Sequence, residues 1–323
     1  MKQALRVAMA IALTITLCIS LAACSKAGEA AEDPAEETSA EENGGYTGYR
    51  QTILYYMSDD GFVVPVKRDI PWEEGIGKAA LSYLVDTADN RADTGEMGLQ
   101  ALIPEGTTYT LRIGDDGIAV VDLIGLSACK DAAAEKAMVQ SIVNTLAEFT
   151  RIDAVTITVN GKKVSALPCG TKLKEAMAPF ALNAEDGEVS ASTEGASALT
   201  LYFPNTAGSL NVPVTRYIEG GANVESAVRE LILGPQADGL RCCFPEGTEL
   251  LAVKVEEGVA TVDLSGEFLG AQYTEGLIEA AYDTLFLTIG GIEQISRLEL
   301  MVEGEPCELV TETSAPVFAN EFR

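Results

Sequence analysis

Two carboxylates are the first candidates for chemistry. Asp122 and Asp263 each sit within an apolar run, Val121-Asp122-Leu123 and Val262-Asp263-Leu264. Each follows a Pro-Glu-Gly-Thr box by the same interval, 18 residues from Pro104 to Asp122 and from Pro245 to Asp263. An acid–base pair would need a second carboxylate at a matching position, and none recurs. An aspartate ending a strand usually accepts backbone N–H groups of the following loop, because a buried carboxylate left unpaired is costly. Both are expected to be structural.

Arg68 and Arg216 also recur, in Pro65-Val66-Lys67-Arg68 and Pro213-Val214-Thr215-Arg216. The plain expectation is an ion pair with a nearby carboxylate. The sharper one is a partner-binding anchor, since arginine is enriched at interface hot spots. The chain has no histidine, which removes the commonest general base and metal ligand. A Ser-His-Asp triad cannot be assembled, leaving only a Ser–Lys pair formally open. No glycine-rich run precedes Lys-Ser or Lys-Thr at a helix start, so phosphate cradling has no support. Adjacent Cys242-Cys243 is a weak metal signal without histidine or a second pair. Cys129, Cys169, Cys242, Cys243 and Cys307 are odd in number and unmatched between the halves, so buried thiols are expected rather than a disulfide framework. No catalysis, cofactor or metal is expected.

These residues are positioned by a duplication, the kind of periodicity to settle first. Around the boxes built on Pro104, Gly106, Pro245 and Gly247, apolar positions match while charges do not, as a shared core requires. Each copy reads strand, short strand, helix, strand, strand, helix, strand. The first strands cover Thr52 to Met57 and Leu199 to Phe203, and the first helices roughly Glu73–Asp86 and Asn223–Leu233. Hairpins follow at Thr108–Leu123 and Glu249–Leu264. Second helices span about Asp131–Phe149 and Thr274–Ile289, and closing strands Ala154–Asn160 and Arg297–Val302 end at turns containing Gly161 or Gly304. The first copy carries extra residues between Asp86 and Gln100. Each copy finishes alike, Pro179-Phe180-Ala181-Leu182-Asn183 against Pro316-Val317-Phe318-Ala319-Asn320. The expected class is α/β of the α+β kind: two tandem copies of a small sheet with two helices on one face.

At 323 residues the chain suits two domains. With 22 basic against 49 acidic residues, nucleic acid is excluded as an expected partner, because lysine and arginine supply most of that affinity. Residues 1–24 read as an export signal: Lys2 and Arg6, an uncharged apolar run, then Leu21-Ala22-Ala23-Cys24. That run is short for a membrane span. The ending resembles a bacterial lipoprotein box, which implies lipidation of Cys24. Residues 25–48, acidic and rich in alanine and glycine, read as a disordered tether. The folded copies are placed at 49–183 and 198–323, with a linker at 184–197.

The repeated pattern resembles the GerMN domain of bacterial sporulation and germination lipoproteins. The likeness rests on Leu201-Tyr202-Phe203-Pro204-Asn205, Leu233-Gly234-Pro235, Phe244-Pro245-Glu246-Gly247-Thr248, Val262-Asp263-Leu264 and Val302-Glu303-Gly304, and covers nearly all of the mature chain. The first copy departs more, with Met57-Ser58 in place of Pro204-Asn205 and no Leu-Gly-Pro. The resemblance implies a ring-building-like fold and an assembly role in the envelope. The expected function is a membrane-anchored, extracytoplasmic docking module contacting envelope or sporulation-complex proteins. A lipoprotein capturing an extracellular carbohydrate or peptide is the alternative. The single tryptophan, Trp72, lies in one copy only, which weakens a stacking platform for sugars.

Overall fold

Alternating apolar residues put Leu54 and Tyr56 on one side of strand β1 (Tyr49–Ser58), and both are fully buried. β1 forms a long antiparallel hairpin with β2 (Val63–Pro71). The computed structural model describes residues 48–72, 75–185, 187–309 and 318–322. Cys24, the export signal and nearly all of the tether lie outside the described residues.

After the hairpin come helices α1 (Ile76–Ser82) and α2 (Ala88–Gly95) and the short strand β3 (Leu99–Gln100). Strands β4 (Thr108–Ile113) and β5 (Ile118–Ile124), helix α3 (Ala132–Ala147) and strand β6 (Ala154–Val159) complete the first copy. The second copy repeats the plan with hairpin β7 (Ala196–Pro204) and β8 (Asn211–Glu219), then helix α4 (Val224–Ile232). It continues with β9 (Leu250–Glu256), β10 (Val259–Leu264), helix α5 (Leu277–Gly290), β11 (Arg297–Val302) and β12 (Glu305–Pro306).

Local chemistry sets several of these boundaries. Asp131 accepts from the Ala134 N–H to start α3, and Asn223 and Ser226 form a reciprocal capping box at α4. Gly234, at φ +84°, followed by Pro235, stops α4. Both Pro-Glu-Gly-Thr boxes fold as turns closed by Thr107 or Thr248 donating to the proline carbonyl at 3.1 Å. Gly106 and Gly247 hold the third position at φ +83° and +86°, a conformation open to glycine.

In both copies the antiparallel pair β4-β5 or β9-β10 is extended by a strand parallel to its second member, β6 or β11. The α+β class in two tandem copies is the one found, and the sheet is drawn finer than expected. Each copy divides its strands between a hairpin and this second sheet. The reason lies at the edge of β1, where α3 intervenes. The Tyr55 N–H donates to Thr145 Oγ1 at 3.0 Å, and Ser141 Oγ donates to the Tyr55 carbonyl. Likewise the Tyr202 N–H donates to Thr288 Oγ1 of α5 at 3.1 Å.

Two further differences from expectation have local causes. The first helix of copy one stops at Ser82, and the extra residues form α2, which lacks an apolar stripe. It is held instead by the Asn90 amide donating to the Ser82 and Val85 carbonyls, both at 2.8 Å. The stretch 184–197 is not a free linker: Glu185 is docked, its side chain 2% exposed, and β7 already begins at Ala196.

Each copy has its own core, yet Leu210 and Val212 from the second copy's hairpin pack into the first copy's core. The described residues form one compact unit. Among the described residues no helix is long and apolar enough to cross a membrane.

Candidate functional site

The recurring aspartates close the second sheet of each copy. Asp122 Oδ1 accepts from the Gly161 N–H and from Thr158 Oγ1, both at 2.7 Å. Asp263 Oδ1 accepts from the Gly304 N–H at 3.0 Å. The donors therefore come from the neighbouring parallel strand (Thr158) and the turn after it (Gly161, Gly304), not from the loop that follows each aspartate. These turns, Asn160-Gly161 and Glu303-Gly304, have positive φ at both residues, which bends a chain back tightly. Their first side chains return the contact: Asn160 Oδ1 accepts from the Gly125 N–H at 3.0 Å and Glu303 Oε1 from the Gly266 N–H at 2.9 Å. Each aspartate is thus half of a reciprocal latch joining two strand ends. That chemistry is structural.

The two arginines find different partners. Arg216 is 4% exposed. Its Nε donates to Glu185 at 2.6 Å, Nη1 to the Glu230 carbonyl at 2.7 Å and carboxylate at 3.1 Å, and Nη2 to the Gly234 carbonyl at 2.7 Å. The guanidinium caps the C-terminal carbonyls of α4 while neutralising two carboxylates. Arg216 thus makes the ion pairs that were the plain expectation, and its donors face inward.

Arg68 pairs with Asp93 of α2 at 2.5 Å and lies between the rings of Tyr83 and Phe322, 4.4 and 4.3 Å from their centroids. Copy two has no counterpart of α2. Arg68 also lines a groove of about 340 Å³ with Gln51, Lys67, Asp69, Glu321 and Phe322. Its side chain is 13% exposed against 4% for Arg216, which itself lines a groove of about 630 Å³.

Two asparagines that were not singled out from the sequence tie the copies together. Asn183 Oδ1 accepts from the Val63 N–H at 2.9 Å, and its Nδ2 donates to Val63 and Pro213 carbonyls at 2.8 and 2.7 Å. Asn320 Oδ1 accepts from the Asn211 N–H at 2.9 Å, and its Nδ2 donates to Pro65 and Asn211 carbonyls at 3.0 and 2.9 Å. Val63 and Asn211 are equivalent positions, as are Pro65 and Pro213, so the two sets are related by an approximate twofold.

The backbones beside these asparagines exchange in the same sense. Glu185 and Leu182, from the end of copy one, bond Thr215 of β8, each at 3.0 Å. Asn320 and Phe322, from the end of copy two, bond Lys67 of β2 at 2.8 and 2.9 Å. Each copy's closing segment completes the other's hairpin. The signal available in the sequence was the matching Asn183 and Asn320 at the ends of the two similar tails.

The remaining titratable groups follow from burial. Burial, then the neighbouring Glu279, raises Asp283 to about 6. Burial pushes the Cys243 thiol up to about 12. Burial also opposes the charge on Glu135, but the N–H groups of Cys169 and Thr171, donating at 2.7 and 2.8 Å, outweigh it and hold the carboxyl below its usual range. All five cysteines in the described residues are free thiols. Among the described residues no group of three or more histidine, cysteine, aspartate or glutamate side chains is arranged to hold a metal ion.

This arrangement can be set beside known proteins. A profile of the family described as "Germane: Sporulation and spore germination" matches residues 53–165 and 200–308, one stretch in each copy. The chain is 28% identical over 274 residues to the spore germination protein GerM of Bacillus subtilis (strain 168), covering 80% of this chain and 73% of that protein. It is also similar to the solved tandem GerMN domains of the sporulation protein GerM from Bacillus subtilis. There the identity is 25% and the TM-score 0.65, over 85% of this chain and all of that structure.

Proposed function

Because the chain belongs to the Germane family of sporulation and spore germination, which makes its role a sporulation-related one, we propose that it acts as a rigid docking module in an envelope complex. In this reading lipid on Cys24 holds it at the membrane, and the acidic stretch 25–48 gives it reach. Its work is assembly and not catalysis, and its partners are envelope proteins of sporulation or germination. The reading starts from similarity to a spore germination protein.

One observation carries it: the distribution of covered and uncovered sheet edges. Away from their hairpin partners, β1 is met by β3 and a helix hydroxyl and β7 by a helix hydroxyl, while β2 and β8 are met by the exchanged tails. The outer edges of β4 and β9 have no further strand beside them among the described residues. An edge strand offers backbone groups to an incoming strand, and a partner that adds one gains a ladder of hydrogen bonds. On β9 the exposed Leu251 and the charges of Lys254 and Glu256 would set which partner is accepted.

The test places a photo-crosslinking residue at Leu251 in the full chain, with a second at exposed Tyr49 as control. Samples come from sporulating and vegetative cells. Crosslinks from Leu251, and not from Tyr49, to sporulation envelope proteins are expected. Equal labelling at both sites, or capture of a solute alone, would refute the docking role. Labelled palmitate, with Cys24→Ala as control, checks the anchor separately.

A further inference from the structure

Cys129 and Cys169 are far apart in the chain and adjacent in space. Cys129 lies in the loop that leads into α3, and Cys169 in the loop after β6. The Cys169 thiol donates to the Cys129 carbonyl at 3.6 Å, and the Cys129 thiol faces the sulfur of Met138 at 3.8 Å. The Cys169 loop is pinned to α3 by Glu135 on that helix's first turn, which is 1% exposed and accepts the Cys169 N–H at 2.7 Å.

We propose that Cys129 and Cys169 are a disulfide-forming pair, oxidised by thiol–disulfide exchange with a disulfide donor, either a protein disulfide or oxidised glutathione. The Cys169 sulfur lies 3.6 Å from the Cys129 carbonyl, which sets the two residues side by side, and a disulfide forms when rotation about the Cα–Cβ bonds brings the sulfurs together with the Cα atoms roughly 4.4–6.8 Å apart. The Cys129 thiolate attacks the donor's S–S bond, forming a mixed disulfide and releasing one donor thiolate. The Cys169 thiolate then attacks the Cys129 sulfur, which forms the Cys129–Cys169 bond and expels the donor's second thiolate. Two electrons pass to the donor, and the protons lost by the two cysteines are taken up by the released thiolates. Cys129 lines a groove of about 530 Å³ with Asp59, Asp86, Glu105 and Lys130, which gives the donor access.

The other three cysteines lack this geometry. Cys243 and Cys307 are buried, and the exposed Cys242 donates its thiol to the Phe244 carbonyl at 3.5 Å, away from any of the other cysteine sulfurs outside its own dipeptide. Burial and the nearby Glu135 raise the Cys129 thiol to about 11. Since the thiolate is the nucleophile, exchange should quicken about tenfold per pH unit. This proposal is independent of the docking role, because it needs only the folded chain and a donor.

The purified chain is treated with oxidised glutathione, remaining thiols are alkylated, and peptides are read by mass spectrometry without reduction. The expected product is a single Cys129–Cys169 crosslink with Cys242, Cys243 and Cys307 alkylated. Its rate should climb between pH 7 and pH 9, and the oxidised chain should melt about 5 °C or more above the reduced one. The variant carrying Cys242→Ser, Cys243→Ser and Cys307→Ser should form the same crosslink. Persistent glutathione adducts on both cysteines, or crosslinks from either to the other three, would overturn the proposal.

Discussion

Replacing Glu185 by alanine should destabilise the whole unit, although the residue lies in the connection between the copies. Its carboxylate accepts from Arg216 Nε at 2.6 Å and from the Gln236 N–H at 2.8 Å, and the paired side chains are 4% and 2% exposed. Removing one partner of a buried ion pair leaves a charge that water cannot reach, at a cost of about 3–5 kcal/mol. Glu230 remains beside Arg216 at 3.1 Å, with its own side chain 26% exposed, which argues for the lower end, about 3 kcal/mol. Urea unfolding followed by circular dichroism and by Trp72 fluorescence is the assay. The single tryptophan reports copy one, so a shift of its transition by a substitution beside copy two also tests coupling. A double-mutant cycle of Glu185→Ala with Arg216→Ala should return a coupling of about 2 kcal/mol or more, insensitive to salt. The exposed i,i+4 pair Glu225–Arg229, at 2.9 Å, is the control and should return roughly 0.5 kcal/mol. A Glu185–Arg216 coupling no larger than the control's, or one erased by 1 M salt, would refute the reasoning.

Other perturbations follow from the same geometry. Asn320→Ala strands the Asn211 N–H and two carbonyls and should cost about 2–4 kcal/mol; hydrogen exchange should show β2 and the start of β8 losing protection together. Asp122→Ala should cost about 2 kcal/mol and Asp263→Ala about 1 kcal/mol, because Asp122 loses two donors and Asp263 one; chemical denaturation measures both. Asp283, raised to about 6 by burial and then by Glu279, holds its proton in the folded state after the unfolded chain has released it. Stability should therefore fall as pH rises from about 4 to about 6 and level off above. The loss should be only about 1 kcal/mol because the group is partly exposed, and melting curves of Asp283→Asn should lack that component.

What could be read from the sequence was what both copies share. The boxes around Pro104 and Pro245, the aspartates, the glycine turns and the helix periods recur at matched positions, and the structure assigns matching geometry to each. The carboxylates meeting Arg68 and Arg216 do not recur: one side uses Asp93 and the other Glu185 and Glu230. An internal repeat carries no information about such unshared solutions. Helix α2 escaped for a related reason, since Ala88–Gly95 lacks an apolar stripe and is fixed by the Asn90 amide and by Asp93. The likeness of the two tails was visible, but likeness cannot say which copy each tail completes. That choice depends on β2 and β8 lying side by side, a long-range fact.

The crossed tails also bear on how the molecule is made. During synthesis the first copy emerges early, but its β2 edge waits for Asn320 and Phe322, which follow the whole of the second copy's folded core. The second copy, by contrast, takes its missing piece from chain already present. Loss of the chain from near residue 318 would therefore open β2, at the far end of the sequence, together with the start of β8. Quality control that samples nascent chains would meet an N-terminal half with an open strand until the second tail has been made.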